Sequence, residues 1–300
     1  MHWCGQMNRK IIKLTITLAD SKETFTTEVG QNQLSSQGLR VLCDIAFGFG
    51  AVMPTAQIRV YGLALERMTK LLRVQWNTMG ALLNMVKIEA GEQGKELALA
   101  FEGNITFAYP DFNAGPDVAL VIESQAAILE NLKPAKSTTF KGECEIADVV
   151  KSICDDMGYK FENNGFSAKH KDLTINGTGI DKIKQLSSAH NFDLYIETGL
   201  IAIAPKNGAR NIQVPIIKPS TGLIGYPVPD IKGVSFKCLY DPLLRFGGAL
   251  KIEDSIIDVC NGEWRVYGLR ISIEANQPNG NWLCDVNATW RNSNDAAIAK

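Results

Sequence analysis

The sequence predicts an α+β protein that is mainly β. Three observations carry that expectation. Residues 11–124 alternate short runs rich in Ile, Val, Thr and Phe with turn-forming residues, the pattern of pleated, half-buried strands. Residues 138–206 change character and hold two apolar stripes at helical spacing. Strand texture then resumes beyond residue 249, after a stretch dense in proline and glycine.

The elements follow in order. IIKLTITLA (11–19) and ETFTTEV (23–29) read as a strand pair, and 38–47 and TAQIRVY (55–61) continue the pattern. Gly62 breaks it, and Leu63–Leu72 reads as a short helix through Leu65, Met68, Leu71 and Leu72. Residues 84–90, 97–109 and 118–124 return to strands. LALAFEGNITFAY is either one bent strand with its kink at Gly103 or a tight hairpin. The texture is that of an antiparallel barrel or sandwich with one helix. The segment 131–139 marks a boundary. Beyond it, Ile146, Val149, Val150, Ile153 and Met157 form a helical stripe with Gly158 placed as its C-cap. A strand at YKFEN follows, then a helix over 179–190 through Ile180, Ile183, Leu186 and Ala189. A hairpin in FDLYIETGLIAIAP turns near Thr198-Gly199.

Residues 215–248 contain five of the eleven prolines, interspersed with five glycines. Proline fixes φ and lacks a donor, so the stretch suits neither a helix nor a central strand. Its apolar content demands burial, and it reads as an ordered, extended connection. Residues 249–253, 256–259, 263–275 and 281–289 are the closing strands, with turn signals at Asn261-Gly262 and Pro278-Asn279-Gly280. Arg-Val-Tyr-Gly-Leu occurs at 59–63 and again at 265–269, each placed at the end of a strand-like run. The echo fits either a duplicated domain or a chance recurrence.

Composition narrows the function classes. Three hundred residues allow two or three domains, and 45% hydrophobic with 21% charged residues is ordinary globular composition. Thirty-one basic against thirty-two acidic residues give no support to a strongly basic nucleic-acid binder. Seven cysteines at 4, 43, 144, 154, 238, 260 and 284 contain no CxxC and read as reduced, mostly buried thiols made in a cytosol. The start of the chain shows no long apolar signal region, and no run reaches the length of a membrane span, so no stable membrane association is expected.

No catalytic constellation emerges, and the expectation is a protein without catalytic residues, bound metal or cofactor. His2, His170 and His190 have no metal-ligand spacing, and His190 reads as a cation closing a helix. No serine lies in GxSxG. Glu143, Glu145, Asp148, Asp155 and Asp156 flank the helix at 146–157. They could suggest paired carboxylates for glycoside hydrolysis, but read better as helix-start and solvated charges. Gly177-Thr178-Gly179 lacks the length and lysine of a phosphate loop and reads as a helix cap. Trp264, Trp282 and Trp290 read as packing of the last β-region rather than a sugar platform.

The order of features carries a resemblance. IRVYGL leads into a short helix, then come NMVKIEAG and ELALAFEGNITFAYPDFNAGPDVALVIES. GTGIDKIKQLSSAHNFDLYIETGLIAIAP follows, then IKPSTGLIGYPVPDIKGVSFKCLYDPLLRFGGALKI, and finally NGEWRV with GNWLCDVNATW. Over about residues 10–290 this resembles the central tail or baseplate hub proteins of tailed bacteriophages, contractile-tailed ones above all.

The resemblance implies a structural virion protein and no enzyme. It divides the chain into a first tail-tube-like β-barrel domain at 8–130 and a small α+β module at 138–206. A connector and second tail-tube-like β-barrel domain follow at 215–292. It further implies a homotrimer whose six barrels adapt a hexameric tail tube to a trimeric spike, with a lumen through which genomic DNA passes transiently. The tail tube protein, the spike protein and other baseplate proteins are the implied partners, and the virion, assembled in the host cytoplasm, is the implied location. Leu223, Tyr226, Pro227 and Phe246 are the expected inter-domain or inter-subunit packing residues, against ordinary intrachain packing. No lysozyme, peptidase or spike domain is recognisable, which would leave wall digestion or puncture to a partner. Peptidoglycan or carbohydrate binding through the middle module, and a cell-wall-degrading enzyme using the acidic cluster, are the competing readings.

Overall fold

The computed structural model describes residues 9–19, 33–48, 52–72, 82–113, 117–197 and 199–290. Strands hold 53% of it and helices 16%, so the chain is α+β and mainly β. Chain contacts divide it into two compact units. The first takes the residues up to Ile45, Ala56–Ser124 and Ser272–Trp282. The second takes Ala46–Thr55, Gln125–Ile271 and the residues from Leu283 on.

The first unit is built on strands β1 (Lys10–Thr17), β2 (Gln33–Gln37), β3 (Val41–Phe47), β4 (Thr55–Tyr61), β5 (Met85–Glu92), β6 (Ala98–Asp111) and β7 (Ala119–Gln125). Their order in the sheet is β3-β4-β7-β6-β5-β1-β2. Alternation decides which side chains meet. In β3, Val41, Cys43, Ile45 and Phe47 are buried, and in β4 Ala56, Ile58 and Val60 are, with the alternate residues less buried. Each fully buried aliphatic side chain contributes about 1.5–3 kcal/mol relative to exposure. Helix α1 (Leu65–Leu72) presents Met68 to the interior and leaves Leu65 exposed.

One local expectation is corrected here. LALAFEGNITFAY is one strand, and its irregularity is not at Gly103. Gly103 pairs regularly with Val86, while Ile88 faces Phe101 and Glu89 faces Leu99, leaving Ala100 as the extra residue of a bulge. The expected strand at 23–29 lies outside the described residues. β1 pairs with β2 on one side and β5 on the other.

In the second unit, α2 (Ile128–Leu132) precedes β8 (Thr138–Glu145), α3 (Ile146–Met157), β9 (Lys160–Asn163), β10 (Lys169–Ile175), α4 (Gly179–His190), β11 (Phe192–Glu197) and β12 (Leu200–Pro205). β8 pairs with β10, and β11-β12-β9 form a separate small sheet. Both helices appear at their expected bounds because their signals are local. Gly158, at φ 75°, closes α3 and donates to Asp155 while Tyr159 donates to Cys154, which satisfies the last carbonyls. Thr178 caps α4 by accepting from the Asp181 amide at 3.1 Å. Ile146, Val149, Val150 and Ile153 meet Ile180, Ile183 and Leu186 in one core with Leu194, Ile196, Ile201 and Ile203. Ala189, expected in that stripe, is exposed.

The chain continues with β13 (Ile216–Ile217), a 3-10 turn at Pro219–Thr221, β14 (Leu223–Asp230), β15 (Gly233–Leu239), β16 (Ala249–Ile252), a 3-10 turn at Asp258–Cys260, β17 (Gly262–Ala275) and β18 (Trp282–Trp290). The sheet order is β14-β15-β18-β17, with β16 on β17 and β13 on β16. The segment read as a connection is therefore largely sheet. The reason lies in its partition: Pro227 and Pro229 fall in β14, at the sheet edge, and Pro215, Pro219 and Pro242 fall outside the strands, whereas β15 has none and occupies an inner position. Residues 256–259, expected as a strand, form turn structure with Ile256 and Val259 exposed. The Arg-Val-Tyr-Gly-Leu echo also has two settings. Gly62, at φ 79°, follows the end of β4, while Gly268 lies inside β17, which runs seven residues further.

Candidate functional site

Two arginines pin the chain entering and leaving the β11-β12-β9 sheet. The Arg210 guanidinium, on a residue 4% exposed, forks onto Glu162, with Nε 3.0 Å from Oε1 and Nη2 2.9 Å from Oε2. Its Nη1 donates to the Phe246 carbonyl at 3.1 Å and lies 3.0 Å from Glu197 Oε1. The Arg210 amide donates to the Gly247 carbonyl at 2.9 Å. The planar fork of arginine matches a carboxylate in this bidentate way, which lysine cannot do. These hydrogen bonds hold the Glu162 carboxyl below the usual glutamate range, against the upward pull of burial.

Arg265 makes the second clamp. Its Nη1 lies 2.6 Å from Asp193 Oδ2 and 3.1 Å from the Tyr195 hydroxyl. Lys206 pairs with the other Asp193 oxygen at 3.0 Å. Tyr195 donates to the Gly208 carbonyl at 2.9 Å, and burial pushes its phenol up to about 12. Phe246 sits between rings, 5.5 Å from Tyr195 and 6.3 Å from Phe47. Gly247 has φ 75°, and a Cβ there would lie 2.5 Å from the Tyr195 ring, so both its conformation and its closeness require glycine.

The expected interface residues separate into two groups. Leu223 is 8% exposed and Phe246 1%, so both are filled by packing within the chain. Pro227 is buried as well, its carbonyl 3.7 Å from the Cys260 thiol. Tyr226, by contrast, is 53% exposed on edge strand β14, with Ile224 and Val228 exposed beside it in sequence. Ile231, at the tip of the β14–β15 hairpin, is 96% exposed. The tip is fixed by Asp230 Oδ1, which accepts from the Lys232 and Gly233 amides at 2.6 and 2.8 Å. The 3-10 turn at Asp258–Cys260, with Val259 exposed, packs against β14. The result is a cluster in sequence of exposed apolar side chains on an ordered edge strand whose register is irregular between Ile224 and Val228.

The residues weighed for catalysis fall into structural roles. Glu143 pairs with Lys169 at 3.3 Å, Asp155 pairs with Lys151 at 3.0 Å, and Glu145 Oε1 accepts from the Ala168 amide at 2.8 Å. Asp148 and Asp156 are exposed on α3. His190 does end α4, but burial and the neighbouring His170 ring, 5.3 Å away, lower its pKa. Trp264 stacks on Trp290 at 4.2 Å, and Trp282 is buried with Lys10 Nζ 5.3 Å from its ring centroid. Among the described residues no group of three or more His, Cys, Asp or Glu is arranged to hold a metal ion, and no helix is long and apolar enough to cross a membrane. His2 lies outside the described residues.

Residues 11–279 match the family model of the baseplate hub gp41. The chain belongs to that baseplate hub family. It is thus a structural component of a phage tail or baseplate and of the virion. No curated protein matches the sequence significantly. The hub chain shares its fold with the tail protein of Neisseria meningitidis MC58, at a TM-score of 0.58 and 8% identity over 93% of this chain and 96% of that one. The 43 kDa tail protein of prophage MuSo2 from Shewanella oneidensis gives 0.59 at 8% identity over 95% and 97%. The E. coli c3393 protein, a type VI secretion system component described as similar in structure to T4 tail proteins gp27 and gp5, gives 0.54 at 10% identity over 85% and 74%.

The hub chain's two arginine clamps were not among the residues singled out from sequence. Arg210 and Glu162 stand 48 positions apart, and Arg265 and Asp193 stand 72 apart, so no spacing links them. The one available signal was the arginine of the repeated Arg-Val-Tyr-Gly-Leu motif.

Proposed function

We propose that this chain is a trimer-forming hub subunit that adapts a hexameric tail tube to a trimeric spike and leaves a lumen for DNA passage. The observation that carries the reading is the hub-family match over residues 11–279. Two strand-rich regions in one chain, before and after the helical module, support it, since two tube-like domains per subunit would give six positions in a trimer. On this reading residues 8–130 and 215–292 act as the two tube-like barrel domains and 138–206 as the module between them. Tail tube, spike and further baseplate proteins are the partners, and assembly takes place in the host cytoplasm. The similarity of the E. coli c3393 protein to gp27 and gp5 favours a place next to a spike.

Tyr226, with Ile224, Val228 and Ile231, is the inter-subunit surface in this scheme. Leu223, Pro227 and Phe246 hold it from within the chain. The function is burial and register rather than chemistry, and the acidic residues flanking α3 support that by being spent on lysines, a backbone amide and solvent. Native mass measurement with electron imaging of the purified chain, alone and with tube and spike proteins, tests the proposal. The expected result is a threefold ring with a pseudo-sixfold outline. A monomer that joins neither partner would overturn it.

A further inference from the structure

We propose that Cys238 and Cys284 are an oxidisable dithiol, and that a disulfide between them staples the exposed β14–β15 hairpin to the inner strand β18. Cys238 on β15 stands directly opposite Cys284 on β18, and the two thiols are hydrogen-bonded to each other. Both are buried, at 1% and 0% exposure, and both are free. Directly opposed antiparallel residues have Cβ atoms about 4.5–5.5 Å apart, and a disulfide takes about 3.5–4.5 Å. A small approach of the two strands therefore suffices. On its other side Cys238 faces Leu223 of β14, so the bond would lie one strand in from the apolar edge.

The chemistry is thiol–disulfide exchange with a small-molecule disulfide of the oxidised glutathione class. The Cys238 thiolate attacks one sulfur of the reagent, breaking its S–S bond, forming a mixed disulfide and releasing one small thiolate. The Cys284 thiolate then attacks the Cys238 sulfur, forming the cross-strand bond and releasing the second. The two protein thiols lose two protons and two electrons, and the reagent is reduced to two thiols. The hydrogen bond with Cys238, and then burial, raise the Cys284 thiol well above its ordinary range, which keeps the closed sheet slow to react. Reaction then follows brief opening of the hairpin from β18, and the staple forms on reclosure.

The experiment uses the full chain, held native with oxidised glutathione at mildly alkaline pH and followed by intact mass and peptide mapping. The expected product has lost two hydrogens, has its link between Cys238 and Cys284, and unfolds about 5 °C higher until a reductant reverses it. Cys238→Ser and Cys284→Ser chains should each stop at a glutathione adduct on the remaining cysteine. A native chain that keeps both thiols free, that links other cysteines instead, or whose bridge forms only after unfolding overturns the proposal. So does an unchanged or lowered unfolding midpoint in the bridged chain. The inference rests on the placement of the two thiols and not on the assembly reading, so its failure leaves that reading untouched.

Discussion

Arg210 shows what one buried charge does here. With Glu162 on one side and Glu197 on the other, it neutralises two carboxylates while tying down the carbonyl of Phe246. Its removal strands those carboxylates, and loss of one partner of a buried pair costs about 3–5 kcal/mol. Arg210→Ala should therefore lower the urea midpoint strongly, whereas Lys151→Ala, on an exposed pair, should leave it almost unchanged. The same clamp predicts a pH dependence. The folded Glu162 carboxyl sits below its unfolded value of about 4.3, so between those two values the unfolded chain binds more protons. The stabilisation is complete above about 4.3 and is lost as pH falls through the folded value. Urea titrations from pH 6 to 3 should show that loss, and Glu162→Gln should flatten it while lowering stability at pH 6.

Among the elements, the β14–β15 hairpin carries the proposed inter-subunit surface. Its outer strand keeps apolar residues in water although its inner strand is well packed, with Val234, Phe236 and Cys238 buried. Tyr226→Lys should therefore weaken self-association at least tenfold while leaving the unfolding midpoint of the isolated chain within about 1 °C, because an exposed substitution costs little in the monomer. Sedimentation and thermal unfolding of the same sample separate the two effects. A variant that unfolds early would show that the tyrosine serves the chain's own packing. Elements like α3 and α4 were legible in the sequence because stripe, cap and stop lie within a dozen residues of each other. β2 was not, since Gln-Leu-Ser-Ser-Gln carries little apolar pattern and is a strand by virtue of pairing with β1. Residues 256–259 misled in the opposite direction, having β-branched side chains without a neighbouring strand to receive them. The bulge at Ala100 escaped notice because glycine at 103 drew the eye, and pairing with β5 decides its place.

For the whole molecule, the order of features proved more informative than any motif. No residue pattern announces a hub, yet the fold is shared with tail proteins at 8% identity. The candidate interface was only partly readable. Tyr226 is at the surface, but Leu223 and Phe246 could not be told from it, because exposure of an apolar residue depends on which distant strands cover it. The expected trimer should sediment at three times the mass of one chain, and dilution of the wild type should dissociate it without unfolding.

Pro227 and Pro229 give the edge strand a further property. Each removes an amide donor from the backbone of β14, so a neighbouring strand laid along it would meet gaps where a ladder needs rungs. Side chains can dock there, but main chains cannot zip together from copy to copy. Growth by endless sheet extension is thereby hindered, and in the proposed assembly the number of subunits that gather would be left to their shape. Such a surface would draw copies together and still let the assembly come to an end.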